Sequence, residues 1–402
     1  MGIRFAQRME RLGTEGAFEV LARARGLEAA GKHVVHLEIG EPDFATPDNI
    51  TEAAIAAMHA GYTHYTPAGG ITEVREAVAR FAVRKLGVHV EPTEVVLVPG
   101  SKNVLHFVLL ACVEPGDEVI YPDPGYPIYA SLVNFVGAVP VPVRLREERG
   151  FRMDLDELAG LVTPRTRLLI LNSPQNPTGG VLTRQDVEFV ARLAVDHDLV
   201  VISDEIYSQI IYGAEHVSIL SMPGMKERTI LMDGMSKAYA MCGWRLGYGV
   251  APRELAVRME ALMINTSSCA AAFSQMAAVE ALESPESEAA VERMVARFRA
   301  RRDLVVEGLN SMPGVRCQVP EGAFYAFPNI EGTGLDERQL ADSLLTDAGV
   351  ALLPGTAFGP AGAGFLRLAY TQGESDLRTG LERMGNYLAQ RVGWSSPGFV
   401  DS

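Results

Sequence analysis

The reading turns on Gly234-Met-Ser-Lys237-Ala-Tyr-Ala-Met-Cys-Gly243-Trp-Arg245-Leu-Gly247. The stretch follows a short apolar run, Thr229–Met232, with the composition of a buried strand. Lys237 stands among small residues, and Arg245 lies eight positions further on. A lysine nucleophile must meet its electrophile as the neutral amine, which suits a secluded pocket. The planar fork of an arginine suits a phosphate. On spacing alone, a surface lysine and a structural arginine explain the same letters.

Further runs rich in Val, Ile and Leu lie on either side, at Val95–Pro99, Glu118–Tyr121, Leu168–Leu171, Leu199–Ser203 and Leu246–Val250. None alternates apolar with polar, as expected of strands buried on both faces. Helical spacing fills the intervals Ser101–Val113 and Arg184–Asp196. The repeat is βα, which predicts an α/β fold with a largely parallel sheet. Beyond about residue 285 the character changes to a long charged helix, Glu286–Asn310, and a mixed tail with strand candidates Ala323–Phe327 and Phe365–Ala369. Residues 17–32 have helical spacing, broken at Gly40-Glu-Pro-Asp-Phe. The expected organisation is an N-terminal arm over 1–47, a large domain over 48–285 and a smaller α+β domain over 286–402, with the arm packing on the latter. Gly393–Ser402 reads as a flexible tail.

Composition narrows the function classes. A chain of 402 residues is too long for one small core. Its net charge of −14, without a Lys/Arg run, excludes a nucleic-acid surface. Cys112, Cys242, Cys269 and Cys317 are scattered without metal-ligand spacing and read as small buried hydrophobes, so no metal is expected. The N-terminus lacks the apolar core of a signal peptide. The most apolar run, Val104–Val113, contains a histidine and is about half the length of a membrane span. The expectation is a cytoplasmic protein in a reducing compartment, with no membrane partner.

The Lys237 segment resembles the cofactor-attachment signature of the class I/II aminotransferases, the aspartate aminotransferase superfamily, in which a lysine holds pyridoxal 5'-phosphate (PLP). The resemblance runs from about Gly40 to Arg367, with separate motifs in the family's order. Gly40-Glu-Pro-Asp-Phe-Ala-Thr-Pro places the chain nearest a bacterial branch. The resemblance implies fold type I: a large PLP-binding domain whose mostly parallel seven-stranded sheet is sandwiched by helices, plus a smaller α+β domain.

It also implies roles. Asp204, in Ser-Asp204-Glu-Ile-Tyr207, falls at a strand's carboxyl end and would pair with the cofactor's ring nitrogen. Tyr207 and Asn176, the latter in Asn172-Ser-Pro-Gln-Asn176-Pro-Thr-Gly179, would contact the ring's phenolic oxygen, and Asn176 also the substrate-binding arginine. The ring of Tyr126 would stack on the cofactor. Gly100-Ser101-Lys102 links a strand to a helix, with Ser101 as a good N-cap; the amides of Ser101 and Lys102 would hold the phosphate together with Arg245. The family often has a hydroxyl three residues before the lysine. Here that residue is Gly234, so the contact is missing or taken over by Ser236. Tyr65 would reach the cofactor of a second subunit, implying a homodimer with shared active sites.

On the substrate side, Arg367 in Phe-Leu-Arg367-Leu would grip the α-carboxylate, with the Gly40 amide closing over it. An edge strand with one exposed arginine explains the same letters. The implied activity is exchange of an amino group between an L-amino acid and a 2-oxo acid by a ping-pong mechanism, with Lys237 as the proton carrier and glutamate as a donor. A lyase, decarboxylase, synthase or oxidase on the same scaffold is the alternative. No Lys or Arg occurs between Arg258 and Arg293, so one of the family's cations for a distal carboxylate is absent. Lys102 matches another, which leaves both acidic and bulky or aromatic side chains open.

Overall fold

The computed structural model describes residues 3–392, so the predicted tail Gly393–Ser402 lies outside the described residues. The apolar runs form one sheet in the order Val95–Val98, Gly247–Val250, Thr229–Gly234, Val200–Asp204, Thr166–Asn172, Glu118–Asp123, Val139–Arg146, Arg152–Met153. The neighbours from Thr229–Gly234 through Val139–Arg146 are parallel; Gly247–Val250 is antiparallel to both its neighbours, and Arg152–Met153 to its one. The resemblance leads to seven strands. The two-residue Arg152–Met153 strand adds an eighth at the edge.

Val139–Arg146 is absent from the sequence-based strand set because Val-Pro-Val-Pro-Val breaks the expected pattern. Pro140 and Pro142 pair with Val119 and Tyr121 along one side, while the short last strand meets only Leu145 and Arg146. The missing N–H groups therefore cost no ladder bond, as edge strands allow.

Both faces of the central strands are covered. Val96, Val98, Ile170, Ile202 and Ile230 pack toward the helices Lys102–Cys112, Ile128–Val136 and Arg253–Thr266. Leu97, Leu231 and Val250 face the opposite layer, with the helices Thr72–Leu86, Ala272–Glu283 and Pro285–Asn310. Val95 to Val98 are at most 1% exposed, and burying each contributes roughly 1.5–3 kcal/mol. This two-sided burial is why the runs do not alternate.

Beyond the long helix, Leu366–Ala369 runs between Tyr325–Ala326 and Leu353–Pro354, antiparallel to both. Val35–His36 pairs parallel with Val350–Ala351, so the chain's beginning joins the C-terminal segment. Among the described residues, no helix is long and apolar enough to cross a membrane.

The strand order reverses direction within the sheet. From Glu118–Asp123 the next strand lies outward on one side, whereas Thr166–Asn172 leads to Val200–Asp204 and Thr229–Gly234 on the other. The crevice between Glu118–Asp123 and Thr166–Asn172, at the carboxyl ends, is where such sheets bind ligands.

Behind this edge Asp233 is buried, accepting from the Gly234 amide at 2.7 Å and the Tyr248 hydroxyl at 3.1 Å. Burial dominates and lifts its carboxyl from 3.8 to about 8. The folded state thus keeps a proton that the unfolded chain releases near pH 4, and stability falls as pH rises from about 4 to about 8, by at most ~1.4 kcal/mol per unit. Asp233→Asn removes that loss while preserving both contacts. Thermal denaturation of wild type and variant should show the variant's advantage in Tm growing from pH 5 to pH 8; a constant difference would contradict a protonated Asp233.

Candidate active site

A cavity of about 570 Å³ opens at this crevice. Every residue singled out from the sequence lines it except Tyr65, which is 86% exposed beside His64 on another surface.

Asp204 ends its strand and is 4% exposed. The Tyr129 hydroxyl donates to Oδ2 at 2.6 Å and the Ile206 amide to Oδ1 at 3.3 Å. Burial still raises the carboxyl to about 6. A cationic N–H placed against it would reverse that cost, which is what a pyridinium offers. The next turn carries Tyr207, whose hydroxyl shares a hydrogen bond with that of Tyr325 at 2.7 Å. A second cavity, about 540 Å³, lies behind the sheet against Glu205, His216 and Asp233. Glu205 is held there by Ser203 at 2.8 Å, Ser218 at 2.6 Å and His216 at 2.7 Å, which braces the turn bearing Asp204.

The corner of the cavity around Gly100 and Arg245 is built by close backbone approach. Gly100 has φ 79°, and a Cβ there would fall on the Arg245 guanidinium. Arg245 itself has φ 53°, a left-handed conformation that costs a non-glycine residue of order 1 kcal/mol and is tolerated where surroundings over-determine it. Its Nη1 donates to the Cys242 carbonyl at 2.9 Å. Ser101 departs from expectation: it is helical and makes no capping bond. Its hydroxyl and the amides of Ser101 and Lys102, which make no backbone bond among the described residues, therefore remain for an anion. Ser236, 8% exposed, lines the same space.

Lys237 Nζ donates to the Gly40 carbonyl at 2.7 Å and lies 5.8 Å from the centre of the Phe324 ring. No carboxylate pairs with it among the described residues. The Asn176 backbone amide donates to Asn172 Oδ1 at 2.9 Å, while its side-chain Oδ1 is buried without a partner among the described residues. An orphaned amide oxygen in a cavity marks a place for a ligand.

Arg367 is 3% exposed and lies on the middle strand of the small sheet, not on an exposed edge. Its Nη2 donates to the Glu38 carbonyl, and its guanidinium covers Tyr325 and Phe358, 4.8 and 5.1 Å from their ring centres. Burial lowers its pKa, opposed by Tyr325, Tyr207, Glu38 and Glu15. Nε has no partner. A buried cation with an unused N–H calls for an anion.

Tyr129, Tyr325 and Glu15 were not singled out from the sequence. Tyr129 and Tyr325 belong to apolar runs that read as core, and Glu15 to a helix start. These donors fit PLP: anion corner, buried carboxylate for a ring nitrogen, and a lysine between them.

The family described as aminotransferase class I and II matches residues 32–384. Aromatic-amino-acid aminotransferase 2 of Thermococcus litoralis is 40% identical over 388 residues, 96% of this chain and 98% of that one. The aspartate aminotransferase of Pyrococcus abyssi is 42% identical over 366 residues, 90% of this chain and 94% of its own length. Among solved structures, the aspartate aminotransferase from Thermus thermophilus with maleate has a TM-score of 0.92 at 39% identity, covering 96% of this chain and 100% of that one. Likeness in sequence and shape over nearly the whole length, converging on a cavity that fits the family's cofactor, means that this chain belongs to the class I and II aminotransferases, PLP enzymes that move an amino group from an amino acid to a 2-oxo acid.

Proposed function

We propose that Lys237 both holds the cofactor and carries the substrate's proton in a ping-pong transamination, with glutamate as an amino donor. The observation that carries this reading is the meeting of Lys237, buried Asp204 and buried Arg367 on one cavity. Bound there, PLP supplies an aldehyde carbon for the amino group and a ring that withdraws electrons from the substrate's Cα.

The chain's residues do the rest. Asp204 holds a proton on the ring nitrogen, the state its burial demands. Tyr207 and Asn176 hydrogen-bond the phenolic oxygen, and the ring of Tyr126 covers one face. Arg245, Ser101, Lys102 and Ser236 hold the phosphate. Arg367, helped by the Gly40 amide, binds the α-carboxylate and so fixes the Cα–H bond within reach of Lys237 Nζ, which takes that proton and delivers it to the acceptor carbon.

We further propose a homodimer in which Tyr65, exposed on the single chain, completes the partner's phosphate site. The division into an arm (1–47), a large domain (48–285) and a small domain (286–402) is supported by the Val35–Val350 pairing and by the separate small sheet. A cytoplasmic setting fits four free cysteines.

Amino acid supplied without a 2-oxo acid should release about one equivalent of 2-oxo acid per site and then stop until an acceptor is added. Continuous turnover without acceptor would instead indicate lyase, decarboxylase or oxidase chemistry. Lys237→Ala should lower kcat/KM by roughly 10²–10⁴, measured by steady-state assay; ordinary turnover would sink the assignment. Arg367→Lys keeps the charge but loses the fork, so kcat/KM should fall by about 1.5–3 kcal/mol for each charged hydrogen bond lost, with most of the loss in KM.

A further inference from the structure

The cations lining the cavity are Lys102, Lys237, Arg245 and Arg367. In the aminotransferase reading above, on which this inference rests, the last three serve the cofactor and the substrate's α-carboxylate. Only the Lys102 ammonium is left to meet a second carboxylate on a substrate side chain.

That ammonium is already engaged. Lys102 Nζ forms an ion pair with Glu15 Oε1, and the Tyr126 hydroxyl donates to the same oxygen at 2.5 Å. Glu15 occupies the N-cap position of the Gly16–Ala29 helix, with φ −95° and ψ 110°. An acidic residue there ordinarily turns back to its own helix's amides. Glu15 makes no such bond, and its carboxylate lines the cavity instead.

Its backbone is anchored on both sides. The Gly13 amide donates to Ser131 Oγ at 2.9 Å, and Ala17 and Val20 pack against the large-sheet core. The carboxylate is thus a fixed part of the wall. A dicarboxylic side chain reaching for Lys102 would set two carboxylates against one ammonium. The cavity wall also offers apolar surface from Ala17, Phe18, Phe358 and the ring of Tyr126.

We propose that Glu15 is a specificity-determining residue: by occupying Lys102 it disfavours dicarboxylic substrates and selects amino acids with uncharged, aromatic-sized side chains for this half-reaction.

The test uses holoenzyme, with kcat/KM for aspartate and phenylalanine, and equilibrium binding of two unreactive acids, maleate and 3-phenylpropanoate. Wild type should favour phenylalanine and 3-phenylpropanoate. Glu15→Gln should raise the aspartate-to-phenylalanine ratio of kcat/KM by about tenfold or more and tighten maleate relative to 3-phenylpropanoate by a similar factor. Glu15→Ala should move both in the same direction, and Glu15→Gln combined with Lys102→Gln should lose the gain. Wild type that prefers the dicarboxylates, or ratios unmoved in both Glu15 variants, would overturn the role of Glu15 while leaving the aminotransferase reading standing. If neither acid binds wild type and neither amino acid reacts, the reading of the site itself falls.

Discussion

Asp204 sits inside the protein, where the Tyr129 hydroxyl and the Ile206 amide donate to it and the Lys237 ammonium acts on it only through space. A buried carboxylate held that sparsely is costly unless a cation comes to it, and its raised pKa is the measure of that cost. The surroundings cannot relax around it. Its strand is paired on both sides, Asn172 to Asp204 and Asp204 to Met232. The Asn172 side chain donates to the Asp204 carbonyl at 3.1 Å, and Glu205 is pinned from behind by three donors. Placement at a sheet's carboxyl edge gives the carboxylate a fixed direction, and the rest of the cavity is arranged along it.

The opposite wall depends on another buried charge. Arg301, on the long helix and 2% exposed, grips Asp43 through both guanidinium nitrogens at 2.7 and 2.8 Å and also donates to the Thr371 carbonyl at 2.9 Å. Its guanidinium lies 5.0 Å from the centre of the Phe44 ring. The ion pair anchors the Gly40–Phe44 segment, whose Gly40 and Glu41 line the cavity, and so helps to fix the carbonyl of Gly40 that receives Lys237. Gly40 must be glycine for a spatial reason, because a Cβ would fall on the Tyr325 hydroxyl. A site that joins the chain's first forty residues to Arg367 is therefore positioned by a long helix that never enters it.

Much of this was legible in the letters because burial on both faces leaves a compositional mark. The central strands and the Arg184–Asp196 helix stand almost where the apolar runs end. What escaped was what tertiary context decides. Val139–Arg146 hid behind two prolines, tolerated because the short Arg152–Met153 strand meets only Leu145 and Arg146 and leaves that side unpaired at both prolines. Ser101 looked like a cap, but its helix starts with the residue already helical. Arg367 looked as much like a surface residue as a buried one, since a four-residue strand does not say which of its sides faces a neighbour. Tyr325 and Tyr129 sat in apolar runs where an aromatic residue means core; only the fold shows their hydroxyls reaching Tyr207 and Asp204.

Charge gives the last connection between fold and chemistry. The chain as a whole carries −14, a poor partner for an anionic cofactor and anionic substrates. The cavity inverts that sign: Lys102, Lys237, Arg245 and Arg367 line it against Glu15, Glu41 and Asp204. Once Glu15 cancels Lys102, the positive groups that remain are Arg245, Lys237 and Arg367. An acidic surface around a low-dielectric cleft of this kind focuses attraction where the cations are. On the proposed reading, an amino acid's carboxylate would be drawn to Arg367, its amino group left facing Lys237, and its side chain directed toward the wall that carries Glu15, Lys102 and Phe18. On that reading the sign of the field would orient the substrate before any contact specific to its side chain is made.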